Sequence, residues 1–168
     1  MSIFTEQEAK ALLDKVLALS KADECTVSLS GSVDGNIRFA LNNISTSGIV
    51  SNADLAVQSS FGKRVGTATI NEFDDAALER VVRRAEELAR LAPENPEFMP
   101  AVEKQEYKSS QTFSESTAAI SPEDRAQVAV DSIDPCRAEK LIAAGFLEDG
   151  QSFVAFANSK GNFGYQKA

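Results

Sequence analysis

Between Cys25 and Ile70 apolar and small polar side chains alternate almost residue by residue, and an amphipathic helical pattern stands on either side of that run. A period of two marks a strand with one buried face; a period of 3.6 marks a helix with one buried stripe. Cys25, Val27 and Leu29 fall on one side of the first run, Thr26, Ser28 and Ser30 on the other. Asp34-Gly35 is a hairpin turn signal, after which Ile37, Phe39 and Leu41 alternate with Arg38, Ala40 and Asn42. A third run covers about 44–50, and Asn52-Ala53-Asp54 reads as a further turn. Leu55, Val57, Ser59 and Phe61 share one face of a fourth run, which Gly62 breaks, and a fifth covers about 64–70. Short strands this closely spaced predict an antiparallel meander.

The flanking helices carry their own start signals. Thr5-Glu6-Gln7-Glu8 is a capping box, and Ala9, Leu12, Leu13, Val16 and Leu17 follow at helical spacing, predicting a helix over about 6–20. Asp74 caps a second helix, Phe73 can staple onto Leu78, an apolar stripe runs from Leu78 to Ala92, and Pro93 ends it. Pro93, Pro96 and Pro100 then open a polar stretch that reads as a long surface connection or a domain boundary. Ser121-Pro122-Glu123-Asp124 starts a third helix, which Asp134-Pro135 is expected to kink or restart before it runs on to Gly145. A hairpin-like end follows, 152–158 and 162–166 around Ser159-Lys160-Gly161. The predicted fold is α+β: an antiparallel sheet of about five strands with two helices on one face, then a further helix and a terminal hairpin.

Composition narrows the chemistry. There is no histidine, so His-based zinc sites, Ser-His-Asp triads and Cys-His pairs cannot be built from this chain. Phosphate-loop, dinucleotide and calcium-loop spacings are missing as well. Cys25 and Cys136 form no Cys-x-x-Cys pair and read as two reduced, buried thiols. A net charge of −8 repels nucleic-acid backbones and anionic membranes. The start, Met1-Ser2-Ile3-Phe4, has neither basic stretch nor apolar core, and no apolar run is long enough to span a bilayer, so a cytoplasmic location is expected. Asp74-Asp75, Glu86-Glu87 and Glu123-Asp124 read as a cap, a solvated face and a cap rather than cation sites. Arg80, Arg83, Arg84 and Arg90 read as a self-paired helix face, with Glu79–Arg83 and Glu86–Arg90 at favourable spacing. Thr26, Ser28, Ser30, Ser45, Ser47, Ser51, Ser59 and Ser60 make the strands' second faces rich in hydroxyls. That is either a solvent-facing side or a border to a peptide or subunit.

Several segments, in order, carry a resemblance. They are Arg38-Phe39-Ala40-Leu41-Asn42-Asn43-Ile44; the run from Phe61-Gly62-Lys63-Arg64-Val65-Gly66 to Asn71; the helix ending Ala85-Glu86-Glu87-Leu88-Ala89; Ser121-Pro122-Glu123-Asp124-Arg125; and Phe156 to Tyr165. Together they resemble the amino-terminal part of the TldD/PmbA family, also labelled modulators of DNA gyrase or peptide-maturation proteins. The resemblance implies a longer parent, with residues 1–100 as an α+β domain, 101–120 as a linker or surface connection, and 121–168 as the truncated start of a central segment. Active members of that family are metallopeptidases whose His-Glu-x-x-x-His helix and thiol ligand lie beyond the matched region, and a branch without the motif serves as the partner subunit. Catalytic, cofactor-binding and metal residues are therefore expected to be none in this chain, with zinc confined to the full-length parent or its partner. The implied role is a non-catalytic scaffold or peptide-chamber portion, working as a homodimer or heterodimer with a TldD/PmbA-type subunit on unfolded peptide. The alternative is a protein-binding module of the gyrase-modulator type. No nucleic acid or membrane partner is expected.

Overall fold

A computed structural model describes residues 3–108 and 110–168. Met1 and Ser2 of the amino-terminal reading, and Ser109 in the polar connection, lie outside the described residues. The elements in order are α1 (Glu6–Leu19), β1 (Glu24–Ala40), β2 (Asn43–Phe61), β3 (Arg64–Ile70), α2 (Asp75–Leu91), the short α3 (Glu115–Ala118), α4 (Pro122–Ala138), β4 (Gly145–Asn158) and β5 (Phe163–Lys167). The five strands form one antiparallel sheet in the order β3-β2-β1-β4-β5. The α+β reading, with helices before and after the sheet strands and a terminal hairpin, holds.

The strands differ from the sequence reading in length. Asp34-Gly35 does not turn: β1 runs straight through it. Asp34 lies opposite Val50 on one side and Gly150 on the other, and Gly35 opposite Ile49 and Asp149. With a partner on both sides, this backbone is satisfied in extended form, and two-sided pairing overrides a local turn preference. Asn52-Ala53-Asp54 likewise stays within β2. The true turn lies seven residues further on, at Leu41 (φ 51°) and Asn42 (φ 60°), where two successive left-handed residues suit a tight hairpin between right-twisted strands. Five short strands thus become three long or medium ones, and the count of five is completed by β4 and β5.

One face of the sheet is covered. β1 residues Cys25, Val27 and Leu29, β2 residues Leu55 and Val57, and β4 residues Phe153, Ala155 and Ala157 form the main core with the inward stripes of α1 and α2. α1 supplies Ala9, Leu13 and Val16; α2 supplies Leu78, Val81, Val82 and Ala85, with Phe73 packed against the same core. Gly66 of β3 is the contact point with α2: a Cβ there would sit 2.2 Å from the Ala89 nitrogen and 2.4 Å from the Ala85 carbonyl. Further along the same face, α4 buries Ala129 and Ile133 over the half of the sheet where Ile37 is buried. α4 continues through Pro135 and stops at Ala138, short of the expected Gly145. A proline four residues from a helix end removes one bond without breaking the turn. The chain then passes through left-handed Lys140 (φ 57°) into β4, which begins seven residues before the expected 152.

Candidate functional site

The opposite face of the sheet carries the even-numbered residues of β1, β2 and β4. Thr26, Ser28 and Ser30 lie here, as the alternation predicts. The other hydroxyls do not all join them. Register places Ser47, Ser51 and Ser59 opposite Ile37, Val33 and Cys25, so these three point to the helix side. Ser59 is buried there, while the Ser47 hydroxyl donates to the Asn36 carbonyl at 3.3 Å. The register is unbroken from Glu24–Ser60 to Arg38–Thr46, so the odd-numbered hydroxyls share the side of Cys25 and only the even-numbered ones join the open face. On the open face, Ser30, Ser32, Asn52, Asp54, Ser152 and Gln166 border a shallow groove of about 430 Å³. The Asn52 amide donates to Asp54 at 2.8 Å, so the acid that borders the groove is held by a neighbouring groove side chain, and Ser32 donates to Asp34 at 2.6 Å.

The segment after α2 crosses this face as a strap. Its anchor is Asn162, buried in the β4–β5 turn. The Asn162 Nδ2 donates to the Val102 carbonyl at 2.9 Å, and its Oδ1 accepts from the Gln105 amide at 2.7 Å and from the Tyr107 hydroxyl at 3.3 Å. Asn158 Oδ1 in turn accepts from the Asn162 amide at 3.1 Å. Tyr107 stacks edge-on against Phe156, centroids 5.2 Å apart, and Glu24 accepts from the Ala101 amide at 2.9 Å. Past Ser109, Ser110 donates to Gln166 at 3.0 Å and Thr112 to the Lys167 carbonyl at 2.7 Å, so the strap rounds the β5 edge before α3. Sequence gave no warning of this clamp beyond the two asparagines flanking a turn, which usually serve the turn itself.

The acidic pairs resolve one by one. Asp74 caps α2, accepting from the Ala77 amide at 3.0 Å, and Asp75 pairs with Lys15. Asp124 and Ser121 form a capping box, and the backbone and hydroxyl donors of Ser121 hold the Asp124 carboxyl below its ordinary range. Glu86 is the exception to the solvated-face reading. It is 1 % exposed and accepts from the Lys21 amide at 2.5 Å and Arg83 at 2.7 Å. Arg83 also donates to the Leu19 carbonyl at 2.7 Å, so this pair welds the end of α1 to α2. The Glu79–Arg83 and Glu86–Arg90 pairs are present but long, at 3.9 and 4.0 Å. Among the described residues no cluster of three or more Cys, Asp or Glu side chains is arranged to hold a metal ion. Cys25 is buried as expected, and burial pushes its thiol upward, away from the reactive thiolate. Cys136 is not buried as expected; it is half-exposed because α4 turns only its Arg125, Ala129 and Ile133 side fully inward.

A second polar feature escaped the sequence reading. Arg125, 2 % exposed, donates through Nη1 to both Asp149 oxygens at 2.7 and 2.8 Å. Its guanidinium lies over Gly35, where a Cβ would come within 2.2 Å of Nη1. An arginine in the first turn of a helix opposes the positive helix end, and that conflict was the available signal. It is outweighed here by the carboxylate of Asp149.

A long five-stranded antiparallel sheet, with helices on one face and a clamped strap and a shallow groove on the other, defines a layered α+β fold. Residues 25–89 match the family model described as PmbA/TldA metallopeptidase domain 1. The fold is shared with TldE from Thermococcus kodakarensis, with a TM-score of 0.82 and 19% identity over 94% of this chain and 36% of that one. It is shared also with a protein described as a DNA gyrase modulator from Thermotoga maritima (TM-score 0.79, 13% identity, 94% and 37% covered). A third, of like description, is from Bacteroides thetaiotaomicron (0.74, 16%, 98% and 39%). The chain thus spans little more than a third of the length of these structures. No curated protein matches it. Among the described residues no helix is long and apolar enough to cross a membrane.

Proposed function

We propose that this chain is the non-catalytic scaffold portion of a TldD/PmbA-type peptidase assembly, either of the metal-bearing subunit or of its partner, and that its open sheet face forms part of a chamber wall that meets unfolded peptide. The observation that carries this reading is the groove on the open face. It is shallow, bordered by hydroxyl and amide side chains around an apolar floor that includes Phe153 and Val154, and backed by the sheet. Such a surface offers sequence-tolerant hydrogen bonds to a peptide and no reactive group. Its one acid, Asp54, is held by Asn52, and the chain has no histidine to act as a general base or zinc ligand. The likeness to TldE, and to a family described as metallopeptidase, supports the assembly role. Two of the similar structures are described as gyrase modulators. The net charge of −8 makes a protein surface a better partner than DNA in that alternative.

The test is to mix the purified chain with a metal-bearing TldD-type subunit and follow both complex formation and cleavage of a labelled, unfolded casein. The expected result is no cleavage by the chain alone, a stable complex, and altered cleavage by the subunit. Stoichiometric zinc with cleavage by the chain alone, or no complex at all, overturns the proposal. An effect on gyrase supercoiling without any complex would favour the protein-binding alternative.

A further inference from the structure

Arg125 is sealed from solvent but not satisfied. It is 2 % exposed, and among the described residues every hydrogen bond of its side chain runs through Nη1. That one nitrogen serves both Asp149 oxygens and, at 3.4 Å, the Ile120 carbonyl. Its Nε is buried and has no partner. A buried donor left without an acceptor is destabilising, the more so on a charged group. The unused donors lie on one edge of the guanidinium. Side-on contact, through Nε and Nη2 together, gives two parallel bonds to a carboxylate. Asp149 does not take that edge, since both its oxygens meet Nη1.

Arg125 also lines a cavity of about 60 Å³ between the sheet and α3. Val33, Gly35 and Gln151 belong to its sheet wall; Thr117, Ala118 and Ile120 close it from above. One water needs only about 10–15 Å³, so the space admits a larger polar group. The roof is light: α3 is four residues long and none of them is buried. An entering group can therefore lift it and reach Nε.

We propose that this cavity binds a single carboxylate group, held side-on by Nε and Nη2 of Arg125. A carboxylate is planar and matches the fork, and it carries one negative charge, whereas a phosphate brings up to two beside Asp149. Arg125 stands in the first turn of α4, whose positive end favours an anion. The Thr117 hydroxyl and the Gln151 amide line the same space and supply further donors. Asp149 remains on Nη1, so the guanidinium is shared between two acids and the binding is weak. The cavity lies on the helix side of the sheet, away from the open-face groove, and it stands or falls independently of the proposed function.

The experiment is a titration of the 168-residue chain with sodium acetate, against sodium chloride at matched ionic strength. It is followed by NMR at the Arg125 Nε–H, a signal identified by its loss in Arg125→Lys. A saturating shift is expected, with Kd of roughly 1–20 mM, together with a rise in Tm that chloride does not give. In Arg125→Lys, which keeps the charge and loses the fork, the acetate-dependent rise in Tm should disappear. Ala118→Leu fills the cavity without replacing either member of the ion pair and is expected to weaken acetate binding about tenfold or more. Tetra-alanine with a free carboxy terminus, beside its amidated form, separates the two sources of a carboxylate. Saturation by the free form and not the amide assigns a polypeptide terminus; saturation by acetate alone assigns a small free acid. An Nε–H that does not respond to acetate, a response that never saturates or that chloride matches, or binding unchanged in Ala118→Leu would each overturn the proposal. If Arg125→Lys does not fold, the unmodified chain and Ala118→Leu decide.

Discussion

Arg125 and Asp149 form the most heavily buried ion pair on the helix side of the sheet, with side chains 2 % and 14 % exposed. Removing one partner of such a pair strands the other's charge in a dry environment, which costs far more than the pair contributes. Asp149→Ala is expected to lower unfolding free energy by roughly 3 kcal/mol, read from urea denaturation, whereas Arg125→Met combined with Asp149→Leu recovers most of that loss. The two capping boxes act in the opposite environment, fully in water. Hydrogen bonds from Thr5 lower the carboxyl of Glu8, and those from Ser121 lower that of Asp124. A carboxyl lowered in the folded state stabilises above its unfolded value, and that contribution disappears as pH falls through the folded value. Melting temperature is therefore expected to decline on acidification below the ordinary carboxylate range, and Glu8→Gln with Asp124→Asn should flatten that decline. An unchanged slope in the double variant would contradict the assignment.

Helix starts were legible because their determinants are local: Thr5, Asp74 and Ser121 cap where the spacing says they should, whereas α4 stops at Ala138 rather than at Gly145. Strand ends were not, because they depend on residues far away in sequence. Gly35 looked like a turn and proves to be a place where a guanidinium lies on the backbone. The open face's Thr26, Ser28 and Ser30 could be read from alternation alone, but the strap over it could not, since its anchor Asn162 lies 57 residues from its bonded partner Gln105. Two element-scale outcomes follow from these contacts. Gly66→Ala would drive a methyl into the α2 backbone and is expected to cost about 2–3 kcal/mol in chemical unfolding, without changing the cooperativity of the rest. Asn162→Ala removes the partners of the Gln105 amide and the Val102 carbonyl. It should release the strap, detected as faster proteolysis between Met99 and Lys108 while the circular dichroism of the sheet persists.

At the scale of the molecule the covering is lopsided. Two helices and the main core serve one half of the sheet, and α4 with the short α3 serves the other. Local opening free energy follows the density of buried apolar contacts. In dilute solution, amides of β1 beyond Asn36 are expected to exchange faster than those of Cys25 to Leu29, by a margin that native-state exchange resolves. Equal protection along the strand would mean that the two halves open as one unit.

Strand order has a consequence for the chain as it is being made. β1 is central, yet its two neighbours arrive at very different times: β2 starts three residues after β1 ends, whereas β4 starts only at Gly145. At typical synthesis rates of about 5–20 residues per second, the second edge of β1 waits some 5–20 seconds for its partner. During that interval the nascent hairpin shows an unpaired strand seventeen residues long to the crowded surroundings of the ribosome. A trigger-factor-like holdase, or a slow stretch of codons, would matter more for the yield of this protein than for one whose sheet is built in sequence order.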